Sequence, residues 1–287
     1  MPYLRWFVCL AAWLQLAVAA SGEMVTWDGR HPIDKIDVTI VYFVPKDRTP
    51  LPDWEERVDY FRRRIEQFHV REFNGQSQLR AVIHPEPFVS ELETALLRDG
   101  DGNASFYKTL REVDRRLEFA QGDRDGFPIL LVLSEINWRP LDDFYRLKPG
   151  PNGPEFEGNY NGRQHFPGAG SGGARATYLA SAGKGWGLVS ADGWRIPYRG
   201  SDCVIYHEGC GHTVGLPHPE PGNGSVMSLG QYRGWISESW LDRDQKGRLG
   251  WVPPDAEPDL SGDLFSTFRA LPEPLVPAPG ELSPLRF

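Results

Sequence analysis

The chain has 287 residues, of which 40% are hydrophobic and 24% charged, with a formal net charge of −8. That length and balance allow a sizeable core and exclude a disordered, fibrous or disulfide-dense chain. An acidic protein without a basic run is also a poor partner for nucleic acid or an anionic membrane.

Residues 1–20 read as a secretory leader: Arg5 in a short positive start, an apolar run from Trp6 to Ala19, and the small residues Ala17-Val-Ala-Ala20 at the end. The apolar run is too short for a comfortable membrane span, so a secreted protein, extracellular or periplasmic, is expected, with no stable membrane insertion once the leader is removed. Its removal leaves about 267 residues and, with Arg5 gone, a charge of −9. Of the three cysteines, Cys9 leaves with the leader and Cys203 and Cys210 stay. They fall two helical turns apart, about 10 Å, which is beyond disulfide reach. Only about fifteen residues, Ser21 to Lys35, precede the first strand, which leaves no room for a folded inhibitory segment.

Ile36 to Val44 alternates and is rich in β-branched and aromatic residues, a strand closed by Pro45. A helix follows, with Asp53 as cap, Glu56 three residues on, and an apolar stripe of Trp54, Val58, Phe61, Ile65 and Phe68 that ends near Asn74-Gly75. Leu79 to Ile83 is a second strand. Asp99-Gly-Asp101-Gly-Asn103 begins like a calcium loop, but it lacks the glycine at position six and the glutamate at position twelve, so it reads as a solvated turn. A second helix from Ser105 to Ala120 places Phe106, Leu110, Val113 and Leu117 on one face, and Pro128 to Leu133 is a wholly apolar strand of the buried parallel type. Strand, helix, strand, helix, strand implies an α/β sandwich.

From Asn137 to Gly173 the composition is that of a long loop, rich in Gly, Pro and Asn. Ala174 to Ala180 and Trp186 to Ser190 then read as two short strands around a Gly-Lys-Gly turn. Toward the end, Trp235 to Arg248 reads as a last helix with Ile236, Trp240 and Leu241 facing inward. From Trp251 the chain holds eight prolines in its last 37 residues, an extended strap or a tail. The domain plan is therefore a leader over 1–20, one domain over 21–250, and a proline-rich end over 251–287.

The chemistry concentrates between Ser201 and His218. Here His207, His212 and His218 offer three neutral imidazole nitrogens, the usual protein share of a catalytic zinc with an open fourth position, and Glu208 stands where a general base would. One feature is irregular: His207 and His212 are five residues apart. In a regular helix residues four apart lie about 40° from each other around the axis, whereas residues five apart lie about 140° apart and cannot share a metal. A single π-turn of roughly 4.4 residues restores the common face, and Gly209, Cys210 and Gly211 suit that distortion, since glycine is a poor helix builder. Gly215 can adopt positive φ, end the helix and turn His218 back toward the metal. Cys210 is a possible extra ligand.

This spacing resembles the metzincin metallopeptidase signature His-Glu-x-x-His-x-x-Gly-x-x-His, with one residue added between the first two histidines. The string from His207 to His212 also resembles the zinc helix of the dipeptidyl peptidase III family, over those six residues. Nine residues past His218, the segment Gly224-Ser-Val-Met227-Ser228 resembles the metzincin Met-turn, a tight turn whose methionine lies beneath the histidines. Some metzincins have a tyrosine ligand two positions after that methionine; here Leu229 stands there, and Tyr232 is the nearest tyrosine.

The resemblance implies a metzincin-like α/β fold: a mixed twisted sheet packed on helices, a zinc-binding helix and a small C-terminal lobe. It also implies that one of the two strands after residue 173 holds an extended substrate by strand addition. The implied cofactor is Zn2+, the implied substrate a peptide or protein, the implied activity that of a monomeric endopeptidase with Glu208 as base. Two further readings stand beside it. One is a peptidase whose third ligand is a downstream carboxylate such as Glu220 or Glu238; the other is a secreted binding module with a structural zinc.

Overall fold

A computed structural model describes residues 23–121, 125–138, 145–150, 153–158, 173–195, 197, 199–232 and 234–254. The expected leader, and the proline-rich end beyond residue 254, lie outside the described residues.

The sheet is built on strands β1 (Lys35–Val44) and β4 (Phe127–Ser134), paired in parallel from Ile36↔Phe127 to Phe43↔Ser134. Both lie between packed layers, so β4 up to Leu133 and the second half of β1 are continuously apolar, whereas Lys35, Asp37 and Thr39 alternate with apolar residues in the first half of β1. Period-2 geometry still sorts the side chains. Val38, Ile40, Tyr42, Ile129 and Leu131 enter one core, and Val41, Phe43, Leu130 and Val132 enter the other. Parallel strand β2 (Gln78–Ile83) lies outside β1, and the two-residue strand β3 (Phe88–Val89) pairs with the far end of β1. On the other side β4 pairs in parallel with β8 (Lys184–Val189), and β7 (Ala174–Leu179) closes that edge antiparallel to β8. The result is a mixed α/β sheet in the order β2-β1-β4-β8-β7.

Helix α1 (Trp54–Phe73) covers the first face, with Val58, Phe61, Ile65, Phe68 and Phe73 buried, and stops where Asn74 turns left-handed at φ 50°. The short helix α2 (Thr94–Leu97) leads to α3 (Gly102–Arg116), which covers the second face with Phe106, Leu110 and Val113. One departure from the sequence reading is that Asp53 does not cap α1, because its carboxylate takes Arg57 instead, at 2.6 Å from Nη2. Another is that the expected solvated turn at 99–103 is a helix start: Asp101 accepts the Ala104 amide at 2.8 Å, so α3 begins at Gly102 rather than Ser105. The helix also ends four residues early, with Glu118 and Ala120 at positive φ.

The long segment from Asn137 to Gly173 is not only loop. It carries an antiparallel hairpin, β5 (Tyr145–Gly150) and β6 (Gly153–Gly158), whose Tyr-Arg-Leu-Lys and Glu-Phe-Glu alternations were masked by the surrounding Gly and Pro. The last expected helix is also divided. A 3₁₀ turn (Ile236–Glu238) is followed by extended backbone at Ser239 and then α6 (Arg243–Arg248). The backbone between them is committed to tertiary partners, since Trp240 O accepts from Val226 N and Leu241 N donates to Glu72. Ile236 and Leu241 are buried as expected, but Trp240 is half exposed over Gly224. Among the described residues no helix is long and apolar enough to cross a membrane.

Candidate metal centre

After β8, a short helix α4 (Ala191–Trp194) reverses the chain, and α5 (Ser201–Tyr206) runs back along the first sheet face. It continues as a π-turn over His207–Gly211 and a 3₁₀ turn over His212–Val214. The His212 amide donates to the His207 carbonyl, the five-residue step that defines the wider turn. Widening leaves carbonyls without regular partners, and Thr213 Oγ1 takes that of Gly209 at 3.1 Å.

The π-turn lies directly on strand β8 because β8 is glycine where they meet. A Cβ on Gly185 would stand 2.5 Å from Thr213 Cβ, one on Gly187 3.0 Å from the Glu208 carbonyl, and one on Gly209 2.8 Å from Leu131 Cδ2. Trp186, between the two strand glycines, points into the opposite core. Gly215 then takes φ 88°, ends the helical run, and sends the chain back through Pro217 to His218.

These turns bring the three histidines together. The Nε2 atoms of His207 and His212 each lie 3.1 Å from Nε2 of His218. The His207 and His212 rings stand edge to face with centroids 4.4 Å apart. Their tautomers follow from their other nitrogens, for His207 Nδ1 is 2.8 Å from the Val226 carbonyl and His212 Nδ1 is 2.6 Å from the Leu216 carbonyl. A carbonyl only accepts, so both Nδ1 atoms carry the proton and both Nε2 lone pairs face His218. Burial, with the neighbouring His212 and His218, pushes the His207 pKa well below its ordinary value and keeps it neutral, the form that binds metals.

Three imidazole nitrogens within 4.8 Å of one another, two of the separations being 3.1 Å, fit a cation. Metal-to-nitrogen distances of about 2.0–2.1 Å in a tetrahedral site put neighbouring ligands roughly 3.3 Å apart. Among the described residues, the group able to hold a metal comprises these three histidines alone. Glu208 is buried beside it. Cys210 is buried in the hydrophobic core, and both cysteines are free thiols. Glu238 pairs with Arg199 at 2.9 Å, and neither it nor Glu220 joins the group.

Met227 is fully buried, and a Cβ on Gly211 would stand 2.2 Å from its sulfur, so the methionine lies flush under the π-turn. Its turn is closed by the Ser228 and Gly230 amides on the Ser225 carbonyl. Tyr232 ends a 3₁₀ turn, Leu229–Tyr232, and its side chain lies outside what the structure describes. Sequence reasoning missed the Val226 and Leu216 carbonyls that orient the imidazoles, for which side-chain identity carries no signal. It also missed the role of the Gly185-Trp-Gly187 alternation, which is visible as glycine at every second strand position.

The fold and this centre define an α/β protein with a three-histidine cluster able to hold a metal ion. No family model matches the chain, and no curated protein matches it. Among solved structures it is similar to archaemetzincin from Methanopyrus kandleri, with 18% identity, a TM-score of 0.38, and coverage of 75% of this chain and 94% of that one. It is also similar to OgpA from Akkermansia muciniphila, with 17% identity, a TM-score of 0.42, and coverage of 77% of this chain and 63% of that one. Likeness at this level carries no inference about the site, which rests on its own geometry.

Proposed function

We propose that the chain is a secreted zinc-dependent peptidase of metzincin type, acting on peptide or protein substrates. The observation that supports this most is the convergence of three imidazole nitrogens, two with tautomers fixed by backbone carbonyls, on a helix wound wider for that purpose. His207, His212 and His218 would hold the ion. When bound, zinc lowers the pKa of a coordinated water toward about 7 and polarises a carbonyl. Glu208 would take the proton from the attacking water and return it to the leaving amine. Strand β7, last in the sheet order, offers its outer edge to an extended substrate by strand addition.

The test is metal content measured together with hydrolysis of an unbiased peptide library, with Glu208→Ala as control. One zinc per chain is expected in both proteins, with hydrolysis falling roughly 10²–10⁴-fold in the variant. Loss of zinc from Glu208→Ala would make Glu208 a ligand and overturn its role as base. His218→Ala should lose the metal; if zinc stays, the third ligand is a carboxylate elsewhere, such as Glu220 or Glu238. A zinc-loaded wild type that cleaves nothing would leave a non-catalytic binding module.

A further inference from the structure

The two histidines of the helix are aimed through their own Nδ1 atoms, but His218 lies on the loop after Gly215. Among the described residues no carbonyl meets its Nδ1. Its direction therefore comes from the backbone that carries it. We propose that Gln245 is the positioning residue for His218, an inference that rests on the metal reading above.

Gln245 sits in α6 and is almost fully buried. Its Nε2 lies 2.7 Å from the Pro217 carbonyl, and the nitrogen must be the atom facing there because a carbonyl only accepts. Pro217 C=O and His218 N belong to one peptide plane. Holding that oxygen restrains the plane, and with it the position of the His218 Cα from which the side chain leaves the loop.

Two observations separate this from ordinary packing. The other end of the side chain, Gln245 Oε1, is buried without a hydrogen-bond partner among the described residues. A buried amide with an unmet acceptor is less stable than an apolar side chain of equal length, so the site keeps a polar group at a cost to folding. What the group does is hold Pro217. Gln245 is also held from both sides. Asp242 caps α6, accepting the Asp244 and Gln245 amides at 3.0 and 3.1 Å, and Lys246 Nζ reaches the Glu72 carbonyl and carboxylate at 3.1 and 3.3 Å. A helix of six residues has little stability of its own, and these two anchors give it a fixed register from which the amide can act.

The experiment uses the full secreted chain and Gln245→Met, which keeps length and removes the donor. Zinc affinity is read by chelator competition, the metal-free protein by its melting temperature, and the site by the visible bands of the cobalt(II)-loaded form. Removing a group that orients a ligand typically weakens metal binding about 10–100-fold, and that loss is expected here, with shifted cobalt bands and an unchanged or higher metal-free melting temperature. Gln245→Glu should also weaken zinc, since a carboxylate facing Pro217 O repels it. Unchanged zinc affinity and cobalt spectrum in Gln245→Met would refute the proposal, as would a loss of affinity seen only with a lowered metal-free melting temperature. A wild-type protein that binds no zinc would instead remove the metal reading itself.

Discussion

Gly211 and Met227 touch so closely that neither can be understood alone. Gly211 sits at φ −75° and ψ −69°, ordinary right-handed values, so the backbone does not demand glycine there; the sulfur of Met227 does, 2.2 Å from where a Cβ would stand. Met227 is fully buried, so its sulfur and Cε would have to shift within the core to admit a methyl. Gly211→Ala should therefore cost about 1–3 kcal/mol by overpacking. Because Met227→Ala opens the space the new methyl needs, the double variant should cost less than the sum of the singles. Urea unfolding of the four proteins checks this, and strict additivity would contradict it. Deleting Gly211 is different, since it restores a four-residue step between His207 and His212 but rotates everything before it by about 100°. The backbone of Glu208 would then leave the Gly187 position cut to fit it, so an inactive, less stable protein is expected. Wild-type activity and melting temperature in the deletion would refute this. At this scale the offsets of His207, Glu208, His212, Gly215 and His218 were legible because side-chain chemistry and helical geometry constrain them. The reason for Gly211 was not, because it depends on a methionine sixteen residues away.

The element that presents the site is held to the fold by charge as well as by packing. Asp202, in the first turn of α5, meets Arg64 of α1 at 2.6 Å with both side chains essentially removed from solvent, and its other oxygen takes the Cys203 and Ile236 amides. Burial pushes the Asp202 carboxyl up, and Arg64 opposes this. Such a pair adds little net stability over apolar residues, yet breaking one side strands the other charge. Asp202→Ala should cost about 3–5 kcal/mol, whereas Asp202→Leu together with Arg64→Met should be far milder. Equal losses from the two variants, measured by denaturant unfolding, would count against this account. The C-terminal lobe is tied in similarly. Glu72 of α1 accepts the Leu241 amide at 2.8 Å, and the carbonyl of that same peptide, Trp240 O, takes the Val226 amide. Strand β4 was legible because burial on both faces writes itself as an apolar run, and β1 because alternating β-branched and aromatic residues mark it. The lobe was not legible: Ser239 to Leu241 spends its backbone on Glu72 and Val226, and a helical apolar period cannot reveal that choice.

Across the whole molecule the face that carries the three histidines depends on connections among segments far apart in sequence, and one network gathers four of them. Ser77 Oγ donates to the Ile33 carbonyl, so it accepts from His69 Nε2 at 2.8 Å, and His69 Nδ1 accepts from the Tyr206 hydroxyl at 2.9 Å. The segment before β1, helix α1, the turn into β2 and the residue just before His207 thus share one neutral imidazole. Full burial lowers the His69 pKa to about 3, against an ordinary value near 6.5. The sign follows from counting protons. Below about pH 6.5 the unfolded chain protonates this histidine while the folded chain does not, so stability falls as pH falls, by about 1.4 kcal/mol per unit, until the folded site titrates near pH 3. The full window is worth about 5 kcal/mol, a large share of a typical folding free energy. His207, also held neutral by burial, adds to the same trend in the metal-free protein. Denaturant unfolding of the chelated protein at pH 7, 6, 5 and 4 should therefore show a falling midpoint. His69→Gln keeps a donor and an acceptor but cannot titrate, and it should reduce the slope by about one proton. An identical pH slope in wild type and His69→Gln would show that this network is not what couples the fold to acid.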